Sequence, residues 1–339
     1  MTDLLLLLAP SANRVYAGAA RDLVAAEARV LTGALCSGPV QIRSADLAGV
    51  EYLAVNGDGE QLVEVLSNLS ASAALFERVG ELLRPVQLRR RVVYPSDLVS
   101  IPKYAGKTNE QWTRLALGVT AAATARPQRW LDGSLEVLDP MCGRGTTLNV
   151  ALSLGYDVTG VEIDRKDHEA YTAFIKTWMR QHRYKHTVQE GGLRTDGRTR
   201  GRRVQIEIAA TKEDFRAGQV QRVEYLCTDT RELGGLLRAR SVDVIVTDTP
   251  YGIQHGAHTD QVVRSPLELL DQAMPGWARA LRSGGAMGIS FNRHVSPRDE
   301  LASLLIDHGL EVVTGVGYDD LRHRVDVSID RDLIVARKP

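Results

Sequence analysis

Cysteine is scarce in this chain: three residues, Cys36, Cys142 and Cys227, odd in number and far apart. That excludes a disulfide frame and the closely spaced ligand sets of zinc sites, so reduced thiols and no metal are expected. Long apolar runs are missing too. The leucines at 4–8 follow Asp3 where a secretory leader carries basic residues, and the run is too short for a leader's core. It also falls far below the roughly 20 residues needed to cross a bilayer. It reads as a buried strand of a cytoplasmic protein, with no membrane partner. Charge of one sign is absent as well, Lys+Arg and Asp+Glu both counting 42. No global positive field recruits nucleic acid, although a local basic face stays open.

What is present is an ordinary globular composition, 44% apolar and 25% charged over 339 residues. Single cores stop growing at roughly 250 to 300 residues, so two lobes are expected. Residues 1–91 read as a small α/β lobe, with strands at 4–8 and 51–55 and helices at 12–31 and 61–83. Pro95 and Pro102 punctuate a linker at 92–102 into the second lobe, residues 92–339. Thr108 and Gln111 fit a capping box for a helix at 110–125. Strands at 136–138, 157–161, 223–227, 242–247 and 286–291 then alternate with helical patterns, which predicts a parallel sheet covered on both faces. Strand signals at 312–316, 327–329 and 333–336 predict an antiparallel edge. An arm at 186–210, with five arginines between 194 and 203, interrupts the alternation. It reads as a solvated hairpin or a phosphate contact. The fold class is α/β: a Rossmann-like, seven-stranded, mainly parallel sheet whose last strand is antiparallel.

The chemistry concentrates at strand ends. Asp139-Pro140-Met141-Cys142-Gly143-Arg144-Gly145-Thr146 takes a strand through a glycine turn into a helix. Glycines there allow close backbone approach to a ligand, and in dinucleotide folds such a turn aims a helix at a pyrophosphate. Asp139 at the turn repels phosphate and suits a sulfonium or an amino group. Glu162, followed by Ile163, ends the next strand at the interval of a ribose-binding carboxylate. Asp229, followed by Thr230, ends the third, where an acid accepts an adenine amine. These acids predict S-adenosylmethionine (SAM) as cofactor and S-adenosylhomocysteine as product.

The fourth strand ends in Asp248-Thr249-Pro250-Tyr251-Gly252. A planar amino group is a weak nucleophile while its lone pair is delocalised, so a catalyst must accept its hydrogens and aim the nitrogen. The Asp248 carboxylate and Thr249 carbonyl suit that task, Pro250 shapes the turn, and the Tyr251 ring suits stacking on a flat acceptor. His255 and His323 read as surface or packing residues.

These segments, with Lys103-Tyr104-Ala105-Gly106-Lys107-Thr108 upstream, resemble the class I SAM-dependent amino-methyltransferases, and among them the tRNA guanine-N2 methyltransferases and related RNA/DNA methylases. The resemblance covers about residues 92–338. It implies a SAM site, to which Lys107 contributes, and an Asp-Pro-Pro-Tyr catalytic loop. Thr249 departs from that loop, which retains the carbonyl and loses the fixed φ. Residues 1–90 show no clear THUMP lobe. The expected function is therefore N-methylation of an exocyclic amine in tRNA or DNA. Two other readings stay open: a small-molecule enzyme acting on a guanidino group such as that of free arginine, and a silent SAM-binding scaffold. The oligomeric state is open, a homodimer included.

Overall fold

The computed structural model describes residues 2–11, 13–104, 106–195, 198–249 and 266–339. The first unit runs β1 (Thr2–Leu8), α1 (Arg14–Leu35), β2 (Gln41–Leu47), β3 (Val50–Gly57), α2 (Glu60–Asn68), β4 (Ser72–Val79) and β5 (Leu82–Val86). Its antiparallel sheet has the order β2-β3-β1-β4-β5. Strand alternation sends Leu4 and Leu6 of β1 into a core with Leu23 and Val24 of α1 and Leu62 and Val65 of α2. Leu5 is buried on the opposite face, where Tyr52 and Phe76 of the two flanking strands meet edge to face at 6.3 Å.

This unit corrects two sequence expectations. The first helix begins two residues later than expected, capped by Asn13, whose side chain accepts from the Val15 and Tyr16 amides, and it continues to Leu35. The helix expected at 61–83 ends at Asn68, and β4 and the start of β5 occupy the remainder. Its end has a local cause. Ser67 Oγ and Asn68 Nδ2 donate to the carbonyls of Val63 and Glu64, side chains competing for the helical backbone. The chain then turns at Ser70, whose amide and hydroxyl both donate to Glu27 of α1. β2 was not anticipated.

The second unit continues with α3 (Asp97–Ser100), α4 (Glu110–Ala122), α5 (Arg129–Asp132), β6 (Glu136–Asp139), α6 (Thr146–Ser153), β7 (Asp157–Glu162), α7 (Arg165–Gln181), β8 (Lys185–Thr195) and β9 (Arg198–Ala209). After α8 (Lys212–Arg216) come β10 (Gln221–Cys227), α9 (Leu233–Leu236), β11 (Val242–Asp248), α10 (Pro266–Ala280), β12 (Leu281–Asn292), α11 (Arg298–Asp307), β13 (Glu311–Val313), β14 (His323–Arg324) and β15 (Asp330–Arg337). The α/β class is as expected, but among the described residues the sheet has ten strands, in the order β13-β15-β12-β11-β6-β7-β10-β9-β8, with β14 beside β15. The five central strands, β12 to β10, are mutually parallel. β15 and β13 form the antiparallel edge.

The extra width comes from the arginine-rich segment, which is not a solvated arm. β8 and β9 form a long hairpin, and β9 pairs along β10 from Ile208 opposite Gln221 to Arg202 opposite Cys227. Val204, Ile206 and Ile208 are buried, and that burial joins the hairpin to the sheet. Arg200, Arg202 and Arg203 pair with Glu232, Glu169 and Glu224, so neighbouring elements supply the counter-charge the segment itself lacks.

The units share one core, since Leu23 and Leu31 of α1 belong to the same buried cluster as Trp112 and Leu115 of α4 and Val137 of β6. Gln111 Nε2 donates to the Ala9 carbonyl, and Asn109 Nδ2 to Ser11 Oγ. The expected capping box is therefore absent. Asn109 caps α4, its Oδ1 accepting from the amides of Gln111 and Trp112, while Thr108 and Gln111 turn to other partners. α4 stops at Ala122. No described helix is long and apolar enough to cross a membrane.

Candidate functional site

From β6 the chain proceeds through β7 and β10 on one side and β11 and β12 on the other. The strand order thus reverses between β6 and β11, and in open α/β sheets the carboxyl ends at such a reversal frame the ligand crevice. Asp139 ends β6 and Asp248 ends β11.

Asp139 is buried, 3% exposed, with Oδ1 accepting from the Met141 amide at 3.1 Å and from Thr247 Oγ1 at 2.8 Å. Burial pushes its carboxyl up to about 6 against the pull of those donors. The turn behind it needs left-handed backbone at Gly143 (φ +52°) and Gly145 (φ +78°). A Cβ on Gly143 would meet nothing within 4 Å, whereas one on Gly145 would lie 2.5 Å from the Tyr171 ring. One side of the turn is therefore open, and the other is packed against α7. The Gly143 carbonyl accepts from Tyr225 Oη at 2.6 Å, and its amide donates to Glu162 Oε2 at 2.9 Å.

Glu162 also accepts from the Asp164 amide at 2.7 Å, and burial pushes its carboxyl up to about 7. Beside it Ile163 is 56% exposed, an apolar side chain open to solvent just past the end of β7. Asp229 caps the turn that opens with Thr230. Burial acts to raise its carboxyl, but the hydrogen bonds of Arg231 prevail and hold it below the ordinary carboxylate range. Thr230 is buried, its hydroxyl accepting from Trp277 Nε1 at 2.9 Å. Above the turn, Tyr104 Oη lies 2.8 Å from Thr146 Oγ1, and the Arg144 guanidinium sits 5.3 Å over the Tyr104 ring. Lys107 Nζ reaches the Val99 carbonyl and Glu110 instead of the turn.

On the β11 side, Thr108 Oγ1 donates to Asp248 Oδ2 at 2.9 Å, and Arg331 Nη2 lies 3.6 Å from the same oxygen. Thr249 is buried, with its amide and hydroxyl both directed at the Ser290 carbonyl of β12, at 2.9 and 3.2 Å. A proline has no amide hydrogen to donate there. Threonine thus replaces a fixed φ with two hydrogen bonds to the neighbouring strand. Pro250 and Tyr251 lie outside the described residues, as does His255. His323 is a packing residue, its ring 4.4 Å from Trp112 and 5.7 Å from Tyr16.

The fold thus brings Asp139, the glycine turn, Glu162 and Asp248 to the carboxyl ends of adjacent strands, with Asp139 tied across the reversal to the Thr247 hydroxyl. Sequence reasoning missed Arg331, Trp112, Ser290 and the part played by Thr108. One signal was available: Arg331 sits inside a strand whose other residues are mostly buried, and a charge there needs a partner.

The family described as UPF0020, RMKL-like, methyltransferase domain, matches residues 120–296, over half the chain. No curated protein matches the sequence. Among solved structures, TrmN from Thermus thermophilus aligns at 15% identity and a TM-score of 0.39, covering 89% of this chain, which spans 61% of the TrmN chain. The PH0226 protein of Pyrococcus horikoshii aligns at 16% identity and a TM-score of 0.36, covering 62% of this chain and 85% of its own. The 1,6-didemethyltoxoflavin-N1-methyltransferase of Burkholderia thailandensis, solved with S-adenosylhomocysteine, aligns at 15% and 0.37, covering 70% and 93%.

Proposed function

The chain belongs to the UPF0020 family, RMKL-like, methyltransferase domain, and we propose that it uses SAM to methylate an exocyclic amino nitrogen of a nucleobase in RNA, a tRNA guanine by its motif resemblance. The observation that carries this reading is the placement of Asp248 at the end of β11, one hydrogen-bonded residue from the cofactor turn through Thr247 and Asp139.

The residues fit SAM. The open side of the turn at Gly143, where an added Cβ would meet no atom within 4 Å, leaves room for a ligand against backbone. The acids Asp139, Glu162 and Asp229 suit a cation, two ribose hydroxyls and an adenine amine in turn, and exposed Ile163 suits the adenine face. When bound, SAM supplies an electrophilic methyl group and leaves as S-adenosylhomocysteine. Asp248 accepts one hydrogen of the acceptor amine and the Thr249 carbonyl the other, which localises the nitrogen lone pair and aims it along the line of transfer. Tyr251, outside the described residues, is assigned to stack on the base by the motif resemblance alone. Once the N–C bond has formed and the S–C bond has broken, the excess proton on nitrogen leaves to Asp248 or solvent.

The test is transfer of labelled methyl from SAM to bulk tRNA, to DNA and to a panel of free amino acids and guanidines. Label in tRNA, lost with Asp248→Ala, supports the reading. Label confined to a small molecule overturns it in favour of a metabolite enzyme, and SAM binding without any acceptor overturns it in favour of a scaffold.

The raised acids predict a pH dependence. Asp139 and Glu162, pushed up to about 6 and about 7, are protonated below those values, and a cationic ligand favours their ionised forms. SAM binding should release protons and tighten as pH rises, being roughly tenfold weaker at pH 5 than at pH 8 from Asp139 alone. The ligand-free protein should behave oppositely. Carboxyls raised on folding contribute stability that is complete below their unfolded values and lost as pH rises through about 6 to 7. Calorimetric SAM titrations and melting curves from pH 5 to 8 check both signs. An affinity flat across that range would remove Asp139 from the site.

A further inference from the structure

β15 places Arg331 opposite Asn292 of β12, close to where β11 delivers Asp248. Its neighbours in sequence are both acids, yet strand alternation turns them away. Asp330 pairs with Arg322, and Asp332 with Arg293 and Arg298. Arg331, 5% exposed, instead brings Nη2 to 3.6 Å from Asp248 Oδ2. Its guanidinium lies 5.8 Å over the Trp112 ring.

Trp112 is fixed in turn, with Nε1 donating to Ser290 Oγ at 3.1 Å and the His323 ring against it. The histidine contributes no second cation, since burial pulls its imidazole down to about 4. Tyr16 of α1 closes the far side of His323. A chain of edge-on and tilted ring contacts, from Tyr16 of α1 through His323 to Trp112 of α4, therefore holds one arginine against the candidate catalytic acid.

That arrangement has a consequence for substrate choice. A carboxylate already faced by a buried guanidinium offers a hydrogen-bond acceptor with much of its charge offset. A neutral planar amine uses such an acceptor fully, whereas a cationic guanidine or ammonium must approach a like charge in a partly desolvated site. We infer that Arg331 is the positioning and acceptor-selecting residue of this site, holding Asp248 in place and biasing it toward neutral amines over cationic ones. The inference rests on the reading of Asp248 as the acceptor-binding acid.

Guanidinium ion is the probe. Arg331→Ala should bind it in calorimetry at about millimolar concentration or below, tighter than the native protein by tenfold or more, and the added Asp248→Asn change should abolish the gain. In the tRNA methylation assay, Arg331→Met should lose tenfold or more in kcat with SAM affinity unchanged. Arg331→Lys should recover most of that loss, and guanidinium but not sodium chloride should restore Arg331→Ala. Because the binding experiment needs no substrate, a native protein inert toward tRNA defeats the nucleobase reading, while the guanidinium titration still decides whether Arg331 offsets the charge of Asp248. If Arg331→Ala fails to fold, the Met and Lys pair decides. A folded Arg331→Met variant with native kcat, or guanidinium binding indifferent to Asp248, overturns it.

Discussion

Replacing Asp248 with alanine is expected to lower kcat/KM for methyl transfer by roughly 10²- to 10⁴-fold, the range for a positioned proton-accepting group, while the SAM dissociation constant stays within about threefold. The separation of effects follows from the reversal in strand order. The bond that reaches the cofactor side runs from Thr247 to Asp139, so truncating the next residue leaves the glycine turn and Glu162 in place. What is lost lies on the acceptor side: the oxygen that Thr108 and Arg331 both face. The alanine variant also removes a counter-charge from a buried arginine, which lowers stability. Asp248→Asn separates the two effects, since it keeps the shape and one acceptor oxygen. If Asp248→Asn is as active as the native protein, the carboxylate charge is not used in catalysis. If Asp248→Ala weakens SAM binding as much as turnover, Asp248 belongs to the cofactor site and the acceptor lies elsewhere.

The part of this site that was legible in the sequence is the part built from local chain. Strand, glycine turn and helix follow one another within a dozen residues around Asp139 to Thr146, and an acid ending the next strand is a pattern of spacing. The five central strands were legible for the same reason, each centred on a short apolar run separated from the next by helical periodicity. What was hidden depends on which distant strands become neighbours. Trp112 and Ser290, which fix the floor beneath Asp248, are 178 residues apart. Thr108 and Asn109 are both good helix caps, and only the position of Asp248, 140 residues onward, draws the threonine away and leaves the cap to asparagine. The arginine-rich hairpin misled for a related reason. Its charges are balanced by glutamates on α7, on β10 and beyond β10, and no local pattern predicts that pairing.

The glycine turn supplies the second large effect, and its two glycines should separate. Gly145→Ala places a non-glycine residue at φ +78°, a strain of roughly 1–3 kcal/mol. It also drives a Cβ to 2.5 Å from the Tyr171 ring. That ring is fully enclosed, standing edge-on to Tyr225 at 4.9 Å, and Tyr225 holds the Gly143 carbonyl through its hydroxyl. Displacing Tyr171 therefore disturbs the bond that shapes the ligand side of the same turn, with overpacking adding roughly 1–3 kcal/mol. Gly143→Ala meets the backbone strain alone, because nothing lies within 4 Å of its Cβ. The expected result is a clear fall in melting temperature for Gly145→Ala, a smaller one for Gly143→Ala, and loss of SAM affinity in both, the larger for Gly145→Ala. Tyr171→Leu in the Gly145→Ala background should recover part of the stability by opening the space. Equal melting temperatures for the two glycine variants would show that the contact with Tyr171 does not constrain the turn, and an unchanged SAM affinity in both would place the cofactor away from it.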